Sequence, residues 1–257
     1  PKVSGTAEIW LNPLCRRIVT NSSGVANAPT DAATQDRRAS CYPRAPMLAG
    51  LTDAQVLHEA LAAPRDAHVD YPDIRVISRP GWSQRITPSF AKGGFNSVDL
   101  AVLDPADADA VIDATIAEYD ALGIRFRWTV GPDSRPLDLG ERLERRGLRR
   151  HDIAVMAADL SDIPIHPTPD VTVEPLTLDN LTTYCDTVAA GWDADPAPLH
   201  AYERARLRSG DTRHPAYLAR IAGTPAAAAN AALLPQSAYL MGAVVLPPFR
   251  GRGVTGP

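Results

Sequence analysis

The sequence predicts an α/β (α+β) fold of two successive units, each a mixed sheet flanked by helices. Between residues 51 and 160, short apolar runs typical of strands alternate with amphipathic helical patterns. Residues 161–170 then carry three prolines among polar residues, which is typical of a linker. A second series of strand and helix patterns begins at Val171, and 257 residues are enough for two hydrophobic cores.

Composition excludes several classes of protein. A net charge of −4 gives no support for a nucleic-acid partner, which would require a basic surface. No apolar run approaches the roughly 20 residues of a membrane span. The three cysteines are odd in number and widely spaced, which favours neither a disulfide framework nor a metal site. We therefore expect a cytoplasmic protein without a metal.

Residues 1–50 mix Ser, Thr, Asn, Ala, Pro and Arg without a sustained period. This composition predicts a poorly ordered tail. The tail is not a secretory signal, because it has no long apolar stretch near its start.

Local signals then give the elements of the first unit, residues 51–160. Thr52 is a suitable N-cap, Asp104-Pro105 can begin a helix and Gly123 can end it. A helix at 136–146 should turn Leu137 inward together with Leu139 and Leu143. The predicted elements are a helix at 52–63, strands at 74–78, 84–87 and 95–103, a helix at 105–122, a strand at 124–130, a helix at 136–146 and a strand at 153–158.

The second unit, residues 171–257, has the predicted order β–α–α–β–β–β. Residues 226–234 are ambiguous, because their alanines favour helix, but their place in this order indicates a strand. The predicted elements are a strand at 171–175, helices at 179–192 and 198–209, and strands at 217–221, 226–234 and 238–246.

The candidate site is the stretch from Ala238 to Gly256, where the last strand leads through Pro247 and Pro248 into a glycine-rich loop. Glycines allow backbone N–H groups to converge on an anion, and Arg250 and Arg252 add positive charge. We interpret this stretch as a pyrophosphate cradle that follows a strand edge.

Other interpretations of the loop remain open. Gly251-x-Gly253-x-x-Gly256 also matches the dinucleotide fingerprint, but prolines separate it from the strand. A Walker A loop is excluded, since no Gly-Lys-Ser/Thr follows. The loop could also be a plain turn after an edge strand, with both arginines solvated.

The order of strand, Pro-Pro-Phe and Arg-Gly-Arg-Gly resembles the acetyl-CoA loop of the GNAT superfamily of N-acetyltransferases, Gln/Arg-x-x-Gly-x-Gly/Ala. Arg250 and Gly253 fit this signature and Thr255 departs from it. The resemblance implies that acetyl-CoA is the acetyl donor for a primary amine. It places the pantetheine arm and thioester at Ala243, Val244 and Val245, and the pyrophosphate at Arg250, Gly251, Arg252, Gly253, Val254, Thr255 and Gly256.

The two-unit arrangement resembles the bacterial tandem-GNAT proteins. The first unit has only Leu103-Asp104-Pro105 where a CoA loop would stand, so we expect it to bind no CoA. The resemblance also implies that the second unit is truncated, because a complete domain continues with a helix, a strand, a helix and a hairpin. The last strand would then be an exposed edge that could join copies of the chain.

No catalytic acid or base can be assigned from the sequence. Acetyl transfer requires an uncharged amine and donors near the thioester carbonyl. The candidate bases are Glu174, Asp193, Asp195, Glu203 and His214, each of which we expect on the surface. The alternatives are a non-catalytic interaction protein on a degenerate acetyltransferase scaffold and a dinucleotide-binding protein.

Overall fold

The protein is an α/β structure with two separate sheets. The computed structural model describes residues 8–11, 51–67, 70–92, 95–159 and 168–252. Its elements are β1 (Glu8–Leu11), α1 (Asp53–Asp66), β2 (Arg75–Arg79), β3 (Trp82–Ile86), β4 (Ser97–Ala101), α2 (Ala108–Ala121), β5 (Arg127–Val130), α3 (Leu139–Glu144), β6 (Arg149–Asp152), β7 (Val171–Pro175), α4 (Leu181–Trp192), α5 (Pro196–Ser209), β8 (Ala216–Ile221), β9 (Thr224–Leu233) and β10 (Ala238–Val245).

The first sheet has six strands in the order β2-β3-β4-β5-β1-β6. Strands β2 to β4 are antiparallel, and β4, β5, β1 and β6 are parallel. Helices α2 and α3 bury their apolar faces on this sheet, which accounts for a core centred on the fully buried Trp128. We call β1 to β6 with α1 to α3 the N-terminal unit.

The other face of this sheet carries a buried ion pair. Asp99 follows the core residue Val98 in β4, so the two side chains point to opposite faces. Arg85 donates to Asp99 at 2.6 Å and also to the carbonyl of Pro64 in α1. Arg65 of α1 donates to the Asp99 carbonyl. Helix α1 therefore covers a polar face, and these bonds hold it there.

The second sheet is antiparallel, with the order β10-β9-β8-β7. Helices α4 and α5 bury apolar residues such as Leu181, Tyr184 and Leu199 against it. The alanine-rich segment is a strand, as predicted from element order, and its small buried side chains lie beneath α4. We call β7 to β10 with α4 and α5 the C-terminal unit. Among the described residues, no helix is long and apolar enough to cross a membrane.

Three predictions about the elements of the N-terminal unit are wrong. Glu8–Leu11, within the predicted tail, forms strand β1 between β5 and β6, because four residues paired on both sides need no periodic pattern. The last strand of the first sheet is the polar Arg149–Asp152 and not the apolar 153–158, since pairing with β1 decides it. Leu137 is 88% exposed and not in the core, because α3 begins only at Leu139.

Other predictions concern residues that the structure does not describe. Most of the predicted tail and residues 160–167 of the linker region lie outside the described residues, so the proposed domain limits stay predictions.

The two units share an aromatic interface. The Tyr71 ring of the N-terminal unit lies 3.9 Å from the Tyr202 ring of α5, measured between centroids. Phe90 also packs against the core of the C-terminal unit. Helix α1 contacts β10, and the Ser237 hydroxyl donates to Glu59 at 2.5 Å. The position of β10 therefore depends on contacts from both units.

Candidate functional site

The candidate site begins at β10, which lies at the edge of the second sheet. The amide of Leu246 donates to the Ala226 carbonyl of β9. Because backbone groups of an antiparallel strand alternate in direction, the N–H and C=O groups of Ala243 and Val245 point away from β9. Among the described residues, no strand pairs with β10 on that side.

The strand is not regular along its length. Its register with β9 shifts between Leu240 and Gly242, which leaves Met241 in a β-bulge. A bulge interrupts the ladder and increases the local twist. The edge therefore has an irregular first half and a regular second half that ends at Val245.

Val244 fixes the second half of β10 from behind. Its side chain is buried in the core of the C-terminal unit. Gly191, in the last turn of α4, approaches so closely that a Cβ there would lie 1.7 Å from Val244 Cγ2. Only a glycine allows this contact. Helix α4 thus holds Val244 inward while the backbone of Ala243 and Val245 faces out.

The glycine-rich loop begins directly after this edge. Pro247–Phe249 form one 3₁₀ turn, and Gly251 has a φ of 76°, which favours glycine. Arg250 is exposed, and its Nε donates to the Val245 carbonyl at 3.2 Å. The Arg252 guanidinium lies 5.8 Å from the Phe249 ring centroid.

Two of the predicted anion ligands, Arg250 and Arg252, thus follow the edge of β10 directly in the described part of the loop. The first half of the loop, Arg250–Arg252, is exposed and carries two positive charges. The predicted ligands Gly253, Val254, Thr255 and Gly256 lie outside the described residues.

Strand β4 of the N-terminal unit lies between β3 and β5, and the side of β4 that faces β5, called here the β4 edge, is closed. Strand β4 pairs with β5 only at Ser97 and Val98. Beyond that point the Arg135 amide donates to the Ala101 carbonyl at 2.9 Å, and the Leu103 amide donates to the Arg135 carbonyl at 3.0 Å. The chain itself therefore occupies the backbone positions that an extended ligand would use. A shallow depression of about 580 Å³ opens beside this segment.

Four of the five candidate bases have structural partners, and Glu174 and Asp195 are the two of these four that are not buried. Glu174 accepts a hydrogen bond from Arg220 at 2.8 Å, and Asp195 caps α5 by accepting from the Ala197 amide. Asp193 is exposed in the left-handed conformation at the end of α4, two residues after Gly191. It is the candidate base that follows the contact between Gly191 and Val244 along the chain.

Glu203 and His214 are buried, so the prediction that they lie on the surface is wrong. Glu203 is 2% exposed and pairs with Arg206 at 2.7 Å, one helical turn along α5. His214 Nδ1 lies 2.6 Å from Asp211 Oδ2, and its Nε2 is buried without a hydrogen-bond partner among the described residues. Their burial is a result of tertiary packing, which no sequence pattern could indicate.

The electrostatics of this buried cluster follow from its packing. Burial raises the pKa of Glu203 above its ordinary value, although Arg206 opposes the shift. Burial also acts to raise the pKa of Asp211, but the hydrogen bond with His214 holds it below its ordinary value. The cluster therefore combines a carboxyl that resists ionisation with one that favours it. No group of three or more potential metal ligands occurs within the described ranges.

Solved structures that resemble parts of this chain include several acetyltransferases. The aminoglycoside antibiotic 6'-N-acetyltransferase AAC(6')-Ih from Acinetobacter baumannii is 17% identical over 33% of this chain and 63% of its own, with a TM-score of 0.29. AAC(6')-Iy, solved with the bisubstrate analog CoA-S-monomethyl-acetylneamine, is 22% identical with the same coverage and a TM-score of 0.28. The chain thus spans less than two thirds of the length of these two proteins.

One match extends over more of the chain. A GCN5-related N-acetyltransferase from Kribbella flavida is 13% identical over 78% of this chain and 74% of its own, with a TM-score of 0.43. No protein-family model and no curated protein sequence matches the chain.

Sequence reasoning missed two contributors to the site. Gly191 follows two alanines inside a helical pattern, and an isolated glycine there is a signal of close packing. Tyr71 lies far from β10 in the sequence, and only the tertiary structure brings it to the bulge at Met241.

Proposed function

We propose that this protein is an N-acetyltransferase that transfers the acetyl group of acetyl-CoA to a primary amine. The observation that carries the proposal is the outward-facing backbone of Ala243 and Val245, which leads directly to exposed Arg250. The acceptor amine is not specified by these features.

The open edge suits the pantetheine arm of acetyl-CoA. This arm is extended and carries amide groups, so it can add to a sheet edge as a further strand does. The N–H groups of Ala243 and Val245 would donate to it, and the Val245 carbonyl would accept once Arg250 releases it. The same outward donors can stabilise the negative charge that develops on the thioester oxygen.

The arginine loop suits the pyrophosphate. Arg250 and Arg252 are exposed within three residues of each other, and glycine at 251 keeps the backbone accessible. Guanidinium groups form short charged hydrogen bonds with phosphate oxygens. The distance from strand to loop is set by the 3₁₀ turn at Pro247–Phe249.

The chemistry needs little from side chains. The neutral amine attacks the thioester carbonyl, a C–N bond forms, the C–S bond breaks, and the sulfur leaves as a thiolate that takes a proton. Alignment of the two substrates provides much of the rate enhancement. Asp193 is a candidate to accept the amine proton, because it is exposed and follows Gly191, which contacts Val244, by two residues.

Calorimetry with acetyl-CoA and with NAD tests the proposal. We expect saturable binding of acetyl-CoA with a Kd in the range of about 1 μM to 1 mM, typical of enzyme substrates, and no binding of NAD. Release of free thiol from acetyl-CoA in the presence of a panel of primary amines then identifies the acceptor. Binding of NAD alone would favour the dinucleotide-binding alternative.

The second candidate is a non-catalytic interaction protein. It is favoured by the bond from Arg250 to the Val245 carbonyl, which already occupies one position of the open edge. In that case neither nucleotide would bind, and the edge of β10 would pair with a strand of another chain. A mass that increases with concentration, measured by light scattering, would support this alternative.

A further inference from the structure

The N-terminal unit makes its contacts with β10 at the start of that strand. Ser237, immediately before β10, donates to Glu59 of α1. Met241, in the bulge, packs against the buried cluster formed by Tyr71 and Tyr202, and Phe90 and Phe95 pack against the same cluster. These contacts join residues of both units around one irregular segment of strand.

Tyr71 is the centre of this cluster. It is 5% exposed, and its ring centroid lies 4.8 Å from that of Phe90, 4.9 Å from that of Phe95 and 3.9 Å from that of Tyr202. Two of these rings come from the N-terminal unit and the third from α5. One buried tyrosine therefore couples the N-terminal unit, α5 and the bulge of β10.

The bulged half of β10 needs contacts from outside its own sheet. Among the described residues, strand β10 has a ladder partner on one side only, and the bulge at Met241 removes part of that ladder. Strand segments with few backbone hydrogen bonds open locally at low free energy. Contacts with side chains from outside the sheet replace the missing bonds.

We propose that the N-terminal unit is a clamp that fixes the bulged half of β10, with Tyr71 and Glu59 as its positioning residues. The unit would then serve the neighbouring site instead of holding a site of its own. Its own β4 edge is closed by Arg135, which agrees with this division. The consequence for acetyl-CoA rests on the proposed function, whereas the clamp itself does not.

The test compares hydrogen exchange of backbone amides in the full chain and in four variants. Tyr71→Ala removes the central ring, and Tyr71→Phe is the matched control that keeps it. Glu59→Ala removes the bond to Ser237, and Glu141→Ala removes an exposed glutamate from α3 as its control.

We expect Tyr71→Ala and Glu59→Ala to accelerate exchange at residues 238–242 by about tenfold or more, because local opening becomes easier. Tyr71→Phe and Glu141→Ala should resemble the unaltered chain. Acceleration confined to residues 70–92, with 238–242 unchanged, would overturn the clamp. If Tyr71→Ala does not fold, Glu59→Ala decides the question in the same way.

Acetyl-CoA titrations of the same variants separate this inference from the proposed function. A weaker affinity in Tyr71→Ala and Glu59→Ala, with the controls unchanged, supports both. Accelerated exchange at 238–242 in a chain that never binds acetyl-CoA supports the clamp and refutes the proposed function. Unchanged exchange at 238–242 in variants of a chain that binds acetyl-CoA refutes the clamp and supports the proposed function.

Discussion

The edge of β4 and the edge of β10 both carry outward-facing backbone N–H and C=O groups. These groups are hydrogen-bonded to the chain at β4 and, within the part of the chain that the structure describes, are not paired with a strand at β10. Beyond Val98, the Ala101 carbonyl of β4 and the amide of Leu103, just after the strand, are bonded to Arg135 at 2.9 and 3.0 Å. The outward groups of Ala243 and Val245 in β10 face a side without a strand among the described residues. An extended ligand would have to displace two backbone bonds at the first edge and one arginine side chain at the second.

The charges that follow the two strands differ as well. Asp104 stands after β4, and its carboxylate accepts from the Ala106 amide. Arg250 stands after β10 and is exposed. An anion would be repelled at the first position and attracted at the second. The comparison teaches that sheet order alone does not make a ligand site, because backbone availability and local charge must agree.

The largest effect we expect is on the stability of the closed unit. Asp99→Ala leaves Arg85 buried without its partner, which costs about 3–5 kcal/mol of unfolding free energy. Asp109→Ala is the control, because Asp109 is itself exposed in its ion pairs with Arg142 and Arg146, and surface ion pairs contribute about 0–1 kcal/mol. Denaturant unfolding measures both. The folded fraction of Asp99→Ala should bind acetyl-CoA as tightly as the unaltered chain does. A loss of affinity in the folded variant would contradict the view that β4 takes no part in binding acetyl-CoA.

The second prediction compares the two edges directly. Acetyl-CoA at about 100 times its Kd should slow amide exchange by up to about a hundredfold where it covers the backbone. We expect this protection at Ala243 and Val245, and none at Ser97–Ala101. Hydrogen exchange with and without acetyl-CoA measures it. Protection of β4, or of neither strand, would contradict the assignment.

The third prediction concerns the support of the open edge. Gly191→Ala places a methyl group against Val244, and overpacking of this kind costs about 1–3 kcal/mol. The strand should shift, so the affinity for acetyl-CoA should fall. In a Val244→Ala background, the same change should cost less, because both Val244 methyl groups are gone and only the contact with Cβ at 2.8 Å remains. Thermal unfolding and calorimetry of the four proteins measure the coupling, and equal costs in both backgrounds would disprove the contact.

The smallest effect concerns charge at the open edge. Arg250→Ala removes a hydrogen bond to a charged group, which contributes about 1.5 kcal/mol, so acetyl-CoA should bind roughly tenfold more weakly. Acetyl-pantetheine, which lacks the pyrophosphate, should be affected much less. Arg208→Ala, an exposed arginine in the last turn of α5, is the control. An equal loss for both ligands would argue against a phosphate contact.

Much of the fold follows from local signals. Thr52 begins α1 through a capping box with Gln55, and Gly210 ends α5 in the left-handed conformation. Such caps act within a few residues, so a single sequence reveals them. The strand that contains Ala226 and Ala227 was predicted from element order, and the structure confirms it.

Other features depend on partners that are distant in sequence. Strand β1 and the polar strand β6 exist because each is paired with a neighbouring strand, and neither has an apolar period that marks it. Glu203 and His214 are buried because other elements cover them. Propensity and periodicity describe one segment at a time, so they cannot indicate such burial.

The sequence by itself determined the α/β class, the helices, and the succession of strand, proline turn and arginine-glycine loop. These depend on caps, periodicity and backbone preferences that operate over a few residues. Only the tertiary structure decided that β10 is an open edge, that Arg135 closes the edge of β4, and that Tyr71 reaches Met241. Those outcomes depend on which backbone groups remain after all long-range pairing is complete, and that is a property of the whole folded chain.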